Sequence, residues 1–321
     1  MAGVPDFIPD VMSDPWIVLA ALVLEAVIGY PTALHLALPH PVTWIGAVLA
    51  VCEKRWNEPQ RARKAWGVVT LVIAVVVTGG AGFLLSHVTG IMPLQTALIV
   101  ILGTVGLAQR SLHDHVAAVV HAPDLDAARR AVAGIVGRDV ESLDGQGVAA
   151  AALESLSESF NDGIVAPAFW FLLGGLPGLF IYKAVNTADS MIGHLEPRWR
   201  DFGWAAARLD DLLNLLPARL AGALIVLAQG RDWRRGWRVM WADAMKHASP
   251  NAGWPEAAMA GALNVRLGGP AQYDGVTHDR PVFGVGAAPS IADVRRGLFT
   301  YRKACALLWV LMIAGGLLWR L

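Results

Sequence analysis

Three carboxylates recur at helical spacing in the middle of the chain: Glu154, Glu158 and Asp162. At about 100° per residue, positions i, i+4 and i+8 spread over roughly 80° of a helix. The three therefore share a face, with Asn161 at its edge and Leu153, Leu156 and Phe160 pointing away. Like charges on one face repel. A divalent cation would relieve that repulsion, and an all-oxygen set suits Mg²⁺; a solvated acidic face is the other reading of the same spacing.

Further polar groups lie beside apolar runs. Lys183, Asn186, Asp189 and Ser190 share a helical face, on which Lys183 could hold a phosphate as a point charge and Asp189 could take a metal. A salt-bridged helix end would look the same. Arg208, Asp210, Asp211 and Asn214 follow, with Pro217 and Arg219 beyond. Adjacent aspartates at the mouth of an apolar span suit a metal or a diphosphate, and also suit a helix N-terminus as dipole complements. Lys246-His247 leads into Ser249-Pro250-Asn251 and Gly253, a turn whose backbone N–H groups could cradle an anion. His40-Pro41-Val42 follows the first apolar run, where a single histidine more often serves structure than catalysis. No G-x-x-x-x-G-K-[ST], H-E-x-x-H, C-x-x-C or G-x-S-x-G is present.

The elements that must position these residues are membrane helices. Of 321 residues, 55% are hydrophobic and 16% charged, with 26 basic and 26 acidic side chains. A soluble domain carries about 25% charged residues, and the mean hydropathy here is +0.48. The composition excludes a disordered chain and gives no basic excess for nucleic acid. Two cysteines, Cys52 and Cys305, cannot make a disulfide framework or a four-cysteine metal site.

Residues 67–109 contain no Asp, Glu, Lys or Arg, enough for two crossings of about 20 residues each. The expected spans are 16–38, 67–85, 93–109, 164–182, 212–228 and 304–320. The fourth and fifth carry internal Gly and Pro and are expected to be broken or re-entrant, which leaves four or six crossings. Basic residues gather in 53–66 and in 229–303, where eleven Lys and Arg face six acids. The positive-inside rule puts these segments, with 110–163, in the cytoplasm and the N-terminus outside. A helix over 122–136 starts at Pro123-Asp124. Another over 232–246 aligns Trp233, Trp237 and Trp241 as an interfacial helix, with membrane lipid as its partner; an amphipathic helix packed on a soluble core is the alternative. The expected fold is all-α: one polytopic membrane domain over 1–321, with amphipathic interfacial helices and polar active-site loops.

Taken together, the motifs resemble the adenosylcobinamide-phosphate synthases of cobalamin biosynthesis, the CobD/CbiB family. The resemblance runs through His40-Pro41-Val42 and Gly46, Val136-Gly137-Arg138-Asp139, Glu154-Ser155, Glu158, Asp162-Gly163, Tyr182-Lys183, Asn186-Thr187, Asp189-Ser190-Met191, Arg208, Asp210-Asp211, Asn214, Pro217 and Arg219. It continues in Ser249-Pro250-Asn251, Gly253 and Leu267-Gly268-Gly269. Glu25, Tyr30, Ala150 and Ser159 depart from the family's pattern.

The resemblance implies an inner-membrane, multi-pass enzyme that joins adenosylcobyric acid to aminopropanol or its phosphate, using ATP and Mg²⁺ and no prosthetic group. Association with other cobalamin-biosynthesis proteins would fit such a role. It implies Glu154, Glu158, Lys183, Asp189, Arg208 and Asp211 as catalytic residues. Glu154, Glu158, Asp162, Asp189, Asp210 and Asp211 form the pool of Mg²⁺ ligands. His40, Asn186, Ser190, Asn214, Arg219, Ser249, Asn251 and Gly253 would contact substrate. Two rivals stand beside this reading: a non-enzymatic membrane sensor or regulatory relative, and a transporter with ionisable residues at broken helices.

Overall fold

The computed structural model describes residues 14–30, 39–58, 62–194, 196–273 and 275–319. The described residues are predominantly helical. Four helical runs are long and apolar enough to cross a membrane: Arg63–Leu85, Met92–Val120, Gly145–Ile192 and Ile291–Leu318. They contain the expected spans 67–85, 93–109 and 164–182, and nearly all of 304–320. The other two expected spans give shorter helices. Among the described residues of 16–38 the helix is Pro15–Ile28, of 14 residues; 31–38 lie outside the described residues. Residues 212–228 give Leu215–Leu227, of 13 residues. At 1.5 Å per residue each is about 20 Å long, short of a hydrocarbon core of about 30 Å. The chain divides into two compact units.

The first unit comprises Met1–Ala108, Ala166–Leu213 and Leu311–Leu321. Its helices are α1 (Pro15–Ile28), α2 (Pro41–Trp56), α3 (Arg63–Leu85), α4 (Met92–Thr104), α8 (Ala166–Ile192) and α9 (Trp204–Leu213). Asp14 caps α1 and His40 caps α2, each with a side-chain acceptor and a proline at N1. Leu49, Leu71, Ala74, Ala184, Val185, Ala188, Ile192, Phe202 and Ala206 form the core that joins α2, α3, α8 and α9. Val68, Val72, Val76, Val77, Phe83 and Leu84 of α3 remain exposed. Such a continuous apolar flank, on a helix with no acid or base after Lys64, is suited to lipid.

Helix α8 is broken where its sequence predicts. Gly175 adopts φ 58° and ψ −152°, and Pro177 follows. Opposite this break α3 comes very close: a Cβ on Gly82 would sit 2.7 Å from the backbone of Pro177. Glycine at 82 thus lets α3 pack against the backbone exposed by the kink.

The second unit comprises Gln109–Val165 and Asn214–Val310. It holds α5 (Gln109–Val120), α6 (Leu125–Ala133), α7 (Gly145–Phe160), α10 (Leu215–Leu227), α11 (Trp233–Asp243), α12 (Gly253–Leu263) and most of α13 (Ile291–Leu318). The expected helices 122–136 and 232–246 correspond to α6, capped by Asp124, and to α11 with short 3₁₀ turns at both ends. Trp233, Trp237 and Trp241 lie along α11 on its exposed side. Two small antiparallel pairs, unforeseen in the sequence, occupy 267–283: β1 (Leu267–Gly268) with β4 (Val282–Phe283), and β2 (Ala271–Tyr273) with β3 (Val276–His278).

Every residue of α12 is buried, including Glu256. Its alanines and glycines let α10 and α11 approach closely, and its C-terminal carbonyls are capped by arginines. Arg235 donates to Gly261 O at 2.9 Å and Ala262 O at 3.1 Å, and Arg296 donates to Leu263 O at 3.1 Å. Cations there also complement the helix dipole. Asn264, at φ 58°, ends the helix.

Gly82→Val tests the α3–α8 approach. The added side chain has backbone in its way, so an overpacking cost of about 1–3 kcal/mol is expected. A lowered unfolding midpoint of the detergent-solubilised protein reads it directly.

Candidate functional site

Helix α7 buries its first acid. Glu154 is 2% exposed. Its Oε2 accepts from Arg138 and, at 3.0 Å, from Arg280; its Oε1 accepts the Gly268 N–H at 2.8 Å. The loop before α7, the end of β1 and the loop between β3 and β4 are all tied to this one carboxylate. Arg280 also reaches Glu256, with Nη2 at 3.8 Å from Oε2. The other Glu256 oxygen lies 3.7 Å from His247 Nε2.

Glu256 is 1% exposed, and its Oε2 accepts no hydrogen bond from the protein. Burial drives its pKa well above the ordinary carboxylate range, and the charges of Glu154 and Glu158 push it further. Burial lowers the pKa of His247, and Arg280 lowers it again. The Ser249 N–H donates to His247 Nδ1 at 2.9 Å, so the neutral ring carries its proton on Nε2, toward Glu256. The second unit therefore sets an imidazole of lowered pKa against an acid of raised pKa, beside an Arg–Glu–Arg cluster.

The turn after His247 is closed on itself. Ser249 N–H is taken by His247, and the N–H groups of Asn251 and Ala252 donate to Ser249 Oγ at 3.2 and 3.4 Å. Its donors serve the fold before any anion. Arg219 holds the turn from α10, donating to Asn251 Oδ1 at 3.1 Å and to Leu215 O at 2.7 Å. Its guanidinium lies over Trp254, 4.6 Å from the ring centroid. Gly253 sits so close to Ala244 that a Cβ would come within 2.1 Å of its carbonyl oxygen.

Helix α7 passes into a π turn over Asn161–Val165. There Asn161 Nδ2 donates to Asp162 Oδ1 at 2.7 Å and to Asn214 Oδ1 at 2.8 Å. Glu158 stands one turn earlier and is exposed. The acidic ladder is thus a graded one: Glu154 is locked to arginines, Glu158 faces out, and Asp162 is half-buried in an amide cluster.

The first unit carries its own polar line. Lys183 Nζ donates to Asn186 Oδ1 at 3.3 Å, and Asn186 Nδ2 donates to Asp210 Oδ1 at 3.4 Å, joining α8 to α9. Ser190 Oγ donates back to Asn186 O at 2.9 Å. Arg208 lies 3.6 Å from Asp211. Burial raises the pKa of Asp211, opposed by Arg208. Asp189 packs against Gly193, where a Cβ would meet Asp189 Oδ1 at 2.0 Å. His40 accepts the Val42 N–H at 3.3 Å on Nδ1 and packs edge-on against Tyr30.

The expected site residues fall into two groups. His40, Lys183, Asn186, Asp189, Ser190, Arg208, Asp210 and Asp211 belong to the first unit; Glu154, Glu158, Asp162, Asn214, Arg219, Ser249, Asn251 and Gly253 belong to the second. Sequence reasoning placed Arg138, His247 and Glu256 within its motifs but gave them no role, and it left Arg280 out altogether. A glutamate in the apolar run Ala252–Leu263 was a usable signal for Glu256; nothing local marks Arg280. Among the described residues no three His, Cys, Asp or Glu side chains converge as a metal centre. A Mg²⁺ that arrives on nucleotide phosphates needs only one or two carboxylates.

Fold and site define a polytopic helical membrane protein built around buried ion pairs. A family model described as CobD/Cbib protein matches residues 18–301, and the chain belongs to that family. Similar relatives include the cobalamin biosynthesis protein CobD of Rhodobacter capsulatus, 48% identical over 94% of this chain and 97% of its own length. Those of Brucella anthropi (44% identical, 93% and 95%) and Rhizobium meliloti (42%, 94% and 96%) carry the same name. No solved structure matches.

Two predictions follow from the cluster in the second unit. Glu154→Gln removes the buried carboxylate that Arg138 and Arg280 share. It should cost on the order of 3 kcal/mol in chemical denaturation. For Glu256 the folded-state pKa exceeds the unfolded one, so the folded state binds the extra proton. Its stabilising effect is complete below the unfolded carboxylate pKa and is lost as pH rises through the raised folded value. Glu256→Gln should flatten that decline in a pH series of unfolding midpoints and be the more stable protein at the alkaline end.

Proposed function

We propose that the protein is an adenosylcobinamide-phosphate synthase of the inner membrane, forming an amide between adenosylcobyric acid and aminopropanol or its phosphate at the expense of ATP. The observation that carries this reading is the family match across 18–301, reinforced by relatives named for cobalamin biosynthesis. The chemistry-bearing residues of the motifs are present in order along the chain.

An amide does not form spontaneously from a carboxylate and an ammonium, because hydroxide is a poor leaving group. Transfer of a phosphoryl group from ATP to the substrate carboxylate makes an acyl phosphate. The deprotonated amine attacks its carbonyl carbon, the C–O bond breaks, and phosphate leaves. Positioning and charge neutralisation supply most of such catalysis. In this reading Lys183, Arg208 and Arg219 contact phosphate or carboxylate oxygens. Asp189, Asp210 and Asp211 supply the few carboxylates that a nucleotide-bound Mg²⁺ requires. Asn186, Asn214, Ser190 and His40 orient substrate. Glu154, locked between arginines, serves by holding its surroundings rigid.

The test is purified protein in nanodiscs with adenosylcobyric acid, Mg-ATP and each amine in turn. Corrinoid amide should appear together with ADP or AMP, and the nucleotide product identifies the activated intermediate. Asp189→Asn and Asp211→Asn should each lower kcat at least about a hundredfold if their carboxylates hold the nucleotide's metal. Full activity in both would remove the metal role. Substrate uptake into vesicles with no ATP turnover would replace the synthase with a transporter.

A further inference from the structure

The π turn at Asn161–Val165 carries an amide whose hydrogen bonding is half complete. Asn161 is 3% exposed. Its Nδ2 faces two oxygen acceptors, Asp162 Oδ1 at 2.7 Å and Asn214 Oδ1 at 2.8 Å. A carboxylate that only accepts requires the NH₂ group on that side, which fixes the amide orientation. The carbonyl oxygen Oδ1 is then the remaining acceptor end of the amide. It is buried and accepts no hydrogen bond from the protein. A buried carbonyl left this way is costly. The π turn that holds it is itself an uncommon conformation, concentrated at functional sites.

We propose that Asn161 Oδ1 and the Asp162 carboxylate bind the protonated amine of the small amino-alcohol substrate, with Asn214 fixing the Asn161 amide. The unsatisfied atom is an acceptor, so its ligand must be a donor. Asp162 at its side and Glu158 one turn earlier favour a positive one. A primary ammonium offers three donors and suits a mixed amide–carboxylate site. The substrate assignment rests on the synthase reading; the ammonium site stands on the geometry of the turn.

Asn161→Ala and Asp162→Asn test it in nanodisc-reconstituted protein. Each should raise the KM for aminopropanol tenfold or more while leaving the KM for Mg-ATP within twofold. An unchanged amine KM in active protein would mean that Asn161 Oδ1 meets water only, and the proposal falls. A rise confined to the KM for Mg-ATP would assign the pair to the nucleotide and overturn it equally. Should Asn161→Ala fail to fold, Asp162→Asn alone decides, since it keeps the size of the side chain. If the wild type forms no amide with any amine, the synthase reading fails separately. Calorimetric titration with 1-amino-2-propanol against 1,2-propanediol then tests the ammonium site: a preference for the amine that Asp162→Asn abolishes supports it, and equal binding of the two overturns it.

Discussion

A carboxylate taken out of water must be matched charge for charge and bond for bond, and Glu154 imposes that constraint on the second unit. Its two oxygens gather Arg138, Arg280 and the Gly268 N–H. The loop before α7 and the strand loops late in the chain consequently have fixed ends. A second acid of the cluster, Glu256, meets the same desolvation with less compensating charge, and its pKa is pushed up instead. The contrast between these two acids is set by their partners, since both are almost wholly buried.

The first unit solves a different problem. Its helices present valines and leucines outward and bury small residues inward, where α3 and α8 meet at Gly82 and the Gly175–Pro177 break. Backbone freed by a kink inside an apolar layer must find protein around it. The polar line Lys183–Asn186–Asp210 lies on α8 and α9, beyond that break. It is polar where polarity can be shared among side chains.

Much of the architecture was legible because hydropathy and helical period are local properties. The charge-free stretch 67–109 announced a pair of long helices, and Asp124 announced the start of α6. The glycines and proline of 174–178 announced a break, realised at Gly175. Lengths were less legible. Residues 16–38 and 212–228 read as spans by composition, yet the helices described there have 14 and 13 residues. Gly29, at positive φ, ends the first. The β pairs of 267–283 were missed because strands of two or three residues carry no periodicity.

The sequence by itself determined that this is a polytopic helical protein with acids spaced along one helix face, and its motifs determined the family. Those are matters of composition, spacing and order, all carried by near neighbours in the chain. Only the tertiary structure decided which acid does what. Arg280 reaches Glu154 across 126 positions, and Asn161 meets Asn214 across 53. No local pattern encodes such pairings. Equal spacing made Glu154, Glu158 and Asp162 look alike, while burial and distant partners made them three different groups: an ion-paired anchor, an exposed charge and one arm of an amide cluster. The physical reason is that ionisation and hydrogen-bond capacity depend on surroundings, and surroundings are assembled by the fold.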